Sequence, residues 1–189
     1  MPSGFKRQPL TSDEAERLAG ACRTPRERRV VWTLLDTGLR ISELAGLVRR
    51  RIDVQNHCLY GGEREPHDGA GTVRAVPLTP RIEPLLESWF GKHESLGLCS
   101  RSIQRVIKDA ATRAGLSGRV SAQALRDTFA VAAVRMGKSP LELQLLLGHK
   151  HLASTAIYFC LAREAPVSPP PRRPAARIRW SGVPITVIA

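Results

Sequence analysis

Between residues 51 and 78 the chain reads as short extended runs, RIDV, HCLYG and TVRAVPL, separated by Gly61-Gly62 and by the turn-rich PHDGAG. Short runs bounded by Gly, Pro and Asp clusters predict a small antiparallel sheet or hairpin set. Helical spacing governs the segments on either side. The fold class that accommodates both patterns is mainly α with a small antiparallel β-sheet, an α+β arrangement.

The helices can be placed from their stop and start signals. Thr11-Ser12-Asp13-Glu14 has a hydroxyl at the N-cap and a carboxylate three residues on, which predicts a helix from there to about residue 22. Pro25 opens a second, with Val30, Val31, Leu34 and Leu35 at helical spacing and Gly38 placed to end it. A third follows over 41–47. After the sheet, Pro80 to Phe90 resumes helix. LCSRSIQRVIKDAATRAG then makes an amphipathic helix, N-capped by Ser100 or Ser102 and stopped by Gly115. Three further helices are predicted over 122–136, 141–147 and 154–161.

The ordered part is expected to span residues 11–162, after an N-terminal arm of 1–10. From Arg163 the composition changes, with six prolines and five arginines in residues 163–189, and predicts an extended arm. That arm ends in VPITVIA, a β-prone apolar run poorly suited to water.

Charge narrows the partners. Lys+Arg number 29 against 17 Asp+Glu, a formal +12 with a pI near 10.7, which points to a polyanion, nucleic acid first. An aromatic content of 5% argues against a stacking platform for single strands. Cys22, Cys58, Cys99 and Cys160 are too dispersed for a ligand pair or a disulfide framework. MPSGFKRQPL carries no apolar signal region, and no run reaches the roughly 18 apolar residues of a membrane span. A soluble, cytoplasmic, nucleoid-associated protein is expected, with no membrane partner.

Several polar residues sit at element junctions where packing does not require them: Arg40 in TGLRISEL, Arg126 in SAQALRDTFA, and His149 and Tyr158 in LLGHKHLASTAIY. Taken singly, each has an ordinary reading. An arginine on an amphipathic helix is commonly solvated, a Gly-His pair is commonly a helix end, and a lone tyrosine is commonly core.

Together and in this order, the three motifs resemble the catalytic domain of the tyrosine recombinases, the phage-integrase family of DNA strand-exchange enzymes. The resemblance covers roughly residues 9–162 and implies that family's catalytic-domain fold. It implies that Arg40 and Arg126 clasp the scissile phosphate, that His149 adds a donor, and that Tyr158 attacks phosphorus to give a 3′-phosphotyrosine and a 5′-hydroxyl. Guanidiniums suit a transition state whose charge spreads over nonbridging oxygens, since each stays charged and forks onto two of them. Glu43, on the face of Arg40, corresponds to the family's acid that orients the arginine. The partner implied is double-stranded DNA, with a homotetramer assembling on two duplexes. Neither cofactor nor metal is implied, and His149-x-His151 has no third ligand at a sensible spacing.

The sequence departs from the family pattern in places. Gln123 stands where the second motif commonly has histidine, and an amide cannot shuttle a proton. The family's hairpin lysine, which protonates the leaving oxygen, falls on Gly69, with Arg64 and Arg74 as the nearest basic candidates for its space. An arginine there would stabilise a leaving group rather than protonate it. Arg64, Arg74, Arg101, Arg105 and Lys150 are the basic residues expected to bind DNA. No N-terminal core-binding domain is expected before residue 11, and two readings of the 163–189 tail stay open: docking on a neighbouring protomer through its apolar end, or a disordered arm whose arginines touch phosphate. A rival reading is a recombinase-derived DNA-binding accessory protein with weak or no catalysis.

Overall fold

The computed structural model describes residues 8–62, 74–116, 118 and 120–164. Eight helices and three strands follow one another among these residues: α1 Ser12–Gly20, α2 Pro25–Thr37, α3 Ile41–Ala45, β1 Ile52–Asp53, β2 Cys58–Gly61, β3 Arg74–Pro77, α4 Glu83–Phe90, α5 Ser100–Arg113, α6 Ala122–Arg135, α7 Pro140–Leu147 and α8 Ala153–Glu164. A 3-10 turn, Arg49–Arg51, leads into β1.

Local signals account for most boundaries. Thr11, Thr24 and Ser139 each accept from the backbone N–H three residues on, and Glu14, Glu27 and Glu142 answer as capping-box partners. Pro25 and Pro140 occupy the first helical position, where a missing N–H costs nothing. The N-cap of α5 is Cys99, not Ser100 or Ser102. Cys99 is the last residue in extended backbone, and the Ser102 hydroxyl meets its Sγ at 3.4 Å instead of capping. Helix α8 runs on through Glu164, so it includes the first two residues assigned to the tail. The arm assigned to 1–10 is docked at its end: Leu10 is buried and its N–H donates to Thr128 Oγ1 at 2.8 Å. Residues 1–7 and 165–189 lie outside the described residues.

The sheet is antiparallel in the order β1-β2-β3, with Ile52 opposite Leu59 and Gly61 opposite Arg74. Residues 63–73, which include Arg64 and Gly69, lie outside the described residues. Among those residues no helix is long and apolar enough to cross a membrane.

Two apolar clusters hold the fold. The larger joins α1 to α5 and the sheet through Leu18, Leu34, Leu44, Leu59, Leu86 and Ile103. The smaller joins α6, α7 and α8 through Phe129, Ala130, Leu143, Leu146, Leu147 and Tyr158. Each large side chain buried this way contributes about 1.5–3 kcal/mol. The seam between the two clusters is where the junction residues converge.

Gly38 fixes how α2 meets that seam. It holds φ 60°, donates its N–H to Leu34 O, and a Cβ built there would run into the Phe129 ring. We predict that Gly38→Ala destabilises by about 2 kcal/mol or more, the sum of left-handed strain and displacement of a core ring, measurable by urea unfolding.

Candidate active site

The centre of the site is a buried carboxylate. Glu43, in the first turn of α3, is 5% exposed and accepts from Arg74 Nη1 at 2.5 Å and Nη2 at 2.7 Å. It also accepts from the Arg40 backbone N–H at 2.6 Å and from Arg40 Nη1 at 3.3 Å. Arg126 Nη1 lies 4.0 Å from Glu43 Oε2. Burial alone would raise the Glu43 carboxyl, but the hydrogen bonds and charge of Arg74, with help from Arg40 and Arg126, hold it below its ordinary value.

Each arginine reaches this centre from a different element. Arg40 is the N-cap of α3, half-exposed, and its Nη2 donates to Gly148 O at 3.2 Å. Arg126, on α6 and almost fully buried, donates through Nη1 to Gly38 O and through Nη2 to Leu147 O at 2.5 Å. It therefore ties the end of α2 to the end of α7. Burial first, then the charges of Arg74 and Arg40, pull its guanidinium down to about 10, against the pull of Glu43 and Tyr158. It stays charged at neutral pH.

Arg74 differs from expectation in its placement. Rather than lying on an open basic surface, it is 5% exposed on β3, clamped on Glu43. Gly148 makes room for it: the left-handed turn at φ 62° lets that backbone pass where a Cβ would sit 3.1 Å from Arg74 Nη1. The same glycine delivers the next residue, His149, whose Nδ1 lies 3.0 Å from Thr155 Oγ1.

Tyr158 is on α8 and has no exposed surface. Its ring packs in the smaller cluster, with the His149 ring 6.2 Å away at 17°. Its hydroxyl donates to Asp127 Oδ1 at 2.8 Å. Gln123 is exposed, and its Nε2 donates to that same oxygen at 2.8 Å. The expected set thus divides. Arg40, Glu43, Arg126, His149, Tyr158 and Gln123 surround one seam, joined by Arg74. Arg101, Arg105 and Lys150 are exposed on α5 and on the turn after α7, outside this cluster.

Asp127 was missed by reasoning from sequence. It is 1% exposed, follows Arg126 directly in ALRDTFA, and stands one helical turn after Gln123. That i, i+4 spacing is the signal that pairs the two polar side chains on one face.

The fold is that of a tyrosine recombinase catalytic domain. The crystal structure of XerA recombinase superimposes with a TM-score of 0.70 at 27% identity, covering 84% of this chain and 60% of that one. The chain belongs to the phage integrase family, which it matches over residues 8–164. Tyrosine recombinase XerC of Chlamydia trachomatis serovar L2 is 31% identical over 156 residues, 70% of this chain and 46% of the relative. The Tn1549 transposon integrase, solved in complex with transposon right end DNA, shares the fold with a TM-score of 0.68 at 19% identity, covering 82% of this chain and 62% of that one. The chain spans about half the length of the curated relatives it matches.

Proposed function

We propose that this domain cuts and rejoins double-stranded DNA at a specific site through a covalent 3′-phosphotyrosine at Tyr158. The observation that carries the reading is the convergence of Arg40, Arg74 and Arg126 on the single carboxylate of Glu43, beside His149 and Tyr158. Three guanidiniums against the carboxylates of Glu43 and Asp127 leave net positive charge at the seam, which suits a phosphodiester whose transition state spreads charge over its nonbridging oxygens. Arg40 is the half-exposed member and takes the phosphate first, Arg126 and His149 complete the clasp, and Arg74 holds Glu43. The Tyr158 oxygen bonds to phosphorus as its proton passes to water, the bond to the 5′-oxygen breaks, and that oxygen takes a proton from water and leaves as a hydroxyl. The phosphotyrosine conserves the bond for rejoining to a second strand.

Two proton-handling positions differ from the family pattern. Gly69 has no proton to give, and Gln123 has its amide on Asp127. A general acid contributes about 10²–10⁴-fold, so we expect slow turnover rather than none. Arg101, Arg105 and Lys150 supply contacts to the DNA backbone, and strand exchange requires a homotetramer on two duplexes. A cytoplasmic place on the nucleoid accords with the +12 charge.

Incubation with nicked, randomised suicide duplexes should give a protease-sensitive protein–DNA adduct on a denaturing gel, and its sequence reports the site. No adduct from DNA that the protein binds would overturn the catalytic reading in favour of an accessory DNA-binding role. Binding itself should weaken steeply with salt: with six or more phosphates contacted, affinity falls by about 10³-fold or more between roughly 50 and 200 mM salt, as counterion release requires. Fluorescence anisotropy across that range measures the slope.

A further inference from the structure

We propose that Asp127, supported by Gln123, positions the Tyr158 nucleophile and keeps its proton in place until DNA draws the phenol away. This rests on the assignment of Tyr158 as the nucleophile. Asp127 Oδ1 accepts from both the Tyr158 hydroxyl and the Gln123 amide, each at 2.8 Å. Two donors on one oxygen mean that this oxygen carries no proton. With the Tyr158 hydroxyl donating to it, Asp127 is a holder of the protonated phenol and not its base.

A carboxylate next to a phenol also disfavours phenolate, through like charge and through a hydrogen bond made to the neutral form. Among the described residues, charged and titratable groups facing the phenol include Asp127 and Arg126 from α6 and His149 from the turn between α7 and α8. Asp127 favours the protonated phenol and Arg126 favours phenolate. With Tyr158 fully buried, attack on a phosphate at Arg40 needs α8 to shift. That movement takes the oxygen away from Asp127, so engagement with phosphorus and release of the hold on the proton are one event. Gln123 then has a role its residue type suits: an amide that does not titrate supports Asp127 equally at every pH.

The test uses the two tyrosines of the chain, Tyr60 and Tyr158. With tyrosine labelled by ¹³C at Cζ, NMR follows both ionisations in the full chain, and Tyr158→Phe assigns the signals. Tyr60 is pushed up to about 12, first by its hydrogen bond with Cys58, and leaves the window below clear. Asp127→Asn keeps the shape and an acceptor while removing the charge. It should lower the Tyr158 midpoint by about one pH unit and move the pH profile of adduct formation the same way. Gln123→Met, at an exposed position, withdraws a donor from Asp127 and should raise the midpoint. A midpoint unmoved by Asp127→Asn, or a rate lowered equally at every pH, would reduce Asp127 to a structural contact. Should Asp127→Asn fail to fold, a midpoint unmoved by Gln123→Met would reduce it in the same way. An adduct that survives Tyr158→Phe would instead overturn the nucleophile assignment, whatever the NMR midpoints show.

Discussion

Tyr158→Phe should abolish the covalent adduct, by at least about 10³-fold, and leave DNA affinity within about twofold of the parent. The substitution removes one oxygen from a fully buried ring and leaves the arginines that bind phosphate untouched. The packing of Phe129, Leu143 and Leu147 around the ring is kept, so the fold should hold. What changes inside is the loss of a donor to Asp127, which retains the Gln123 amide on the same oxygen. A stability loss of about 1 kcal/mol follows from one deleted hydrogen bond. Denaturing gels, anisotropy and thermal melts on the same preparations separate the three effects. A large fall in DNA affinity would count against Tyr158 as the attacking group, because a residue that acts only in the chemical step contributes little to ground-state binding.

Glu43→Ala should be the most destabilising single change in the site, costing about 3–5 kcal/mol, because it leaves Arg74 buried without its counter-charge. For a domain of this size that is a fall in Tm on the order of 10 °C or more. Activity should fall with it, since Glu43 also positions Arg40. Glu43→Gln separates charge from shape through its pH dependence. The folded carboxyl lies below its ordinary 4.5, so the unfolded chain binds its proton first as pH drops. Glu43 therefore contributes its full electrostatic stability above about pH 4.5 and loses it as pH falls toward the folded value. Urea unfolding from neutral pH down to about one unit below that ordinary value should show a parent that weakens more steeply than Glu43→Gln at the acid end. Parallel curves would mean that the Arg74 pair adds no net electrostatic stability.

How far the site can be read from the chain depends on the range of the forces involved. Capping boxes at Thr11 and Thr24 and the left-handed stop at Gly38 act within four residues, so their sequence patterns are sufficient. Where a cap is a matter of competing local geometry, as at Cys99 against Ser100 and Ser102, the pattern points one or more residues too far along. Arg40, Arg126, His149 and Tyr158 are legible because glycines and motif order flag them. Arg74 reads as one more surface cation, and Asp127 as a neighbour of Arg126. Arg74 has no local signature, and the i, i+4 spacing that pairs Asp127 with Gln123 does not reveal its role, because what distinguishes each is a partner 31 residues away, Glu43 for Arg74 and Tyr158 for Asp127.

Secondary structure, the α+β class, the basic charge and the order of the chemical motifs are all written residue by residue, in short-range hydrogen bonding and apolar periodicity. The gathering of three arginines on Glu43 and the burial of Tyr158 on Asp127 are not. Burying a charge is tolerated only where distant elements supply its counter-charge, and that pairing exists only once the chain has closed on itself.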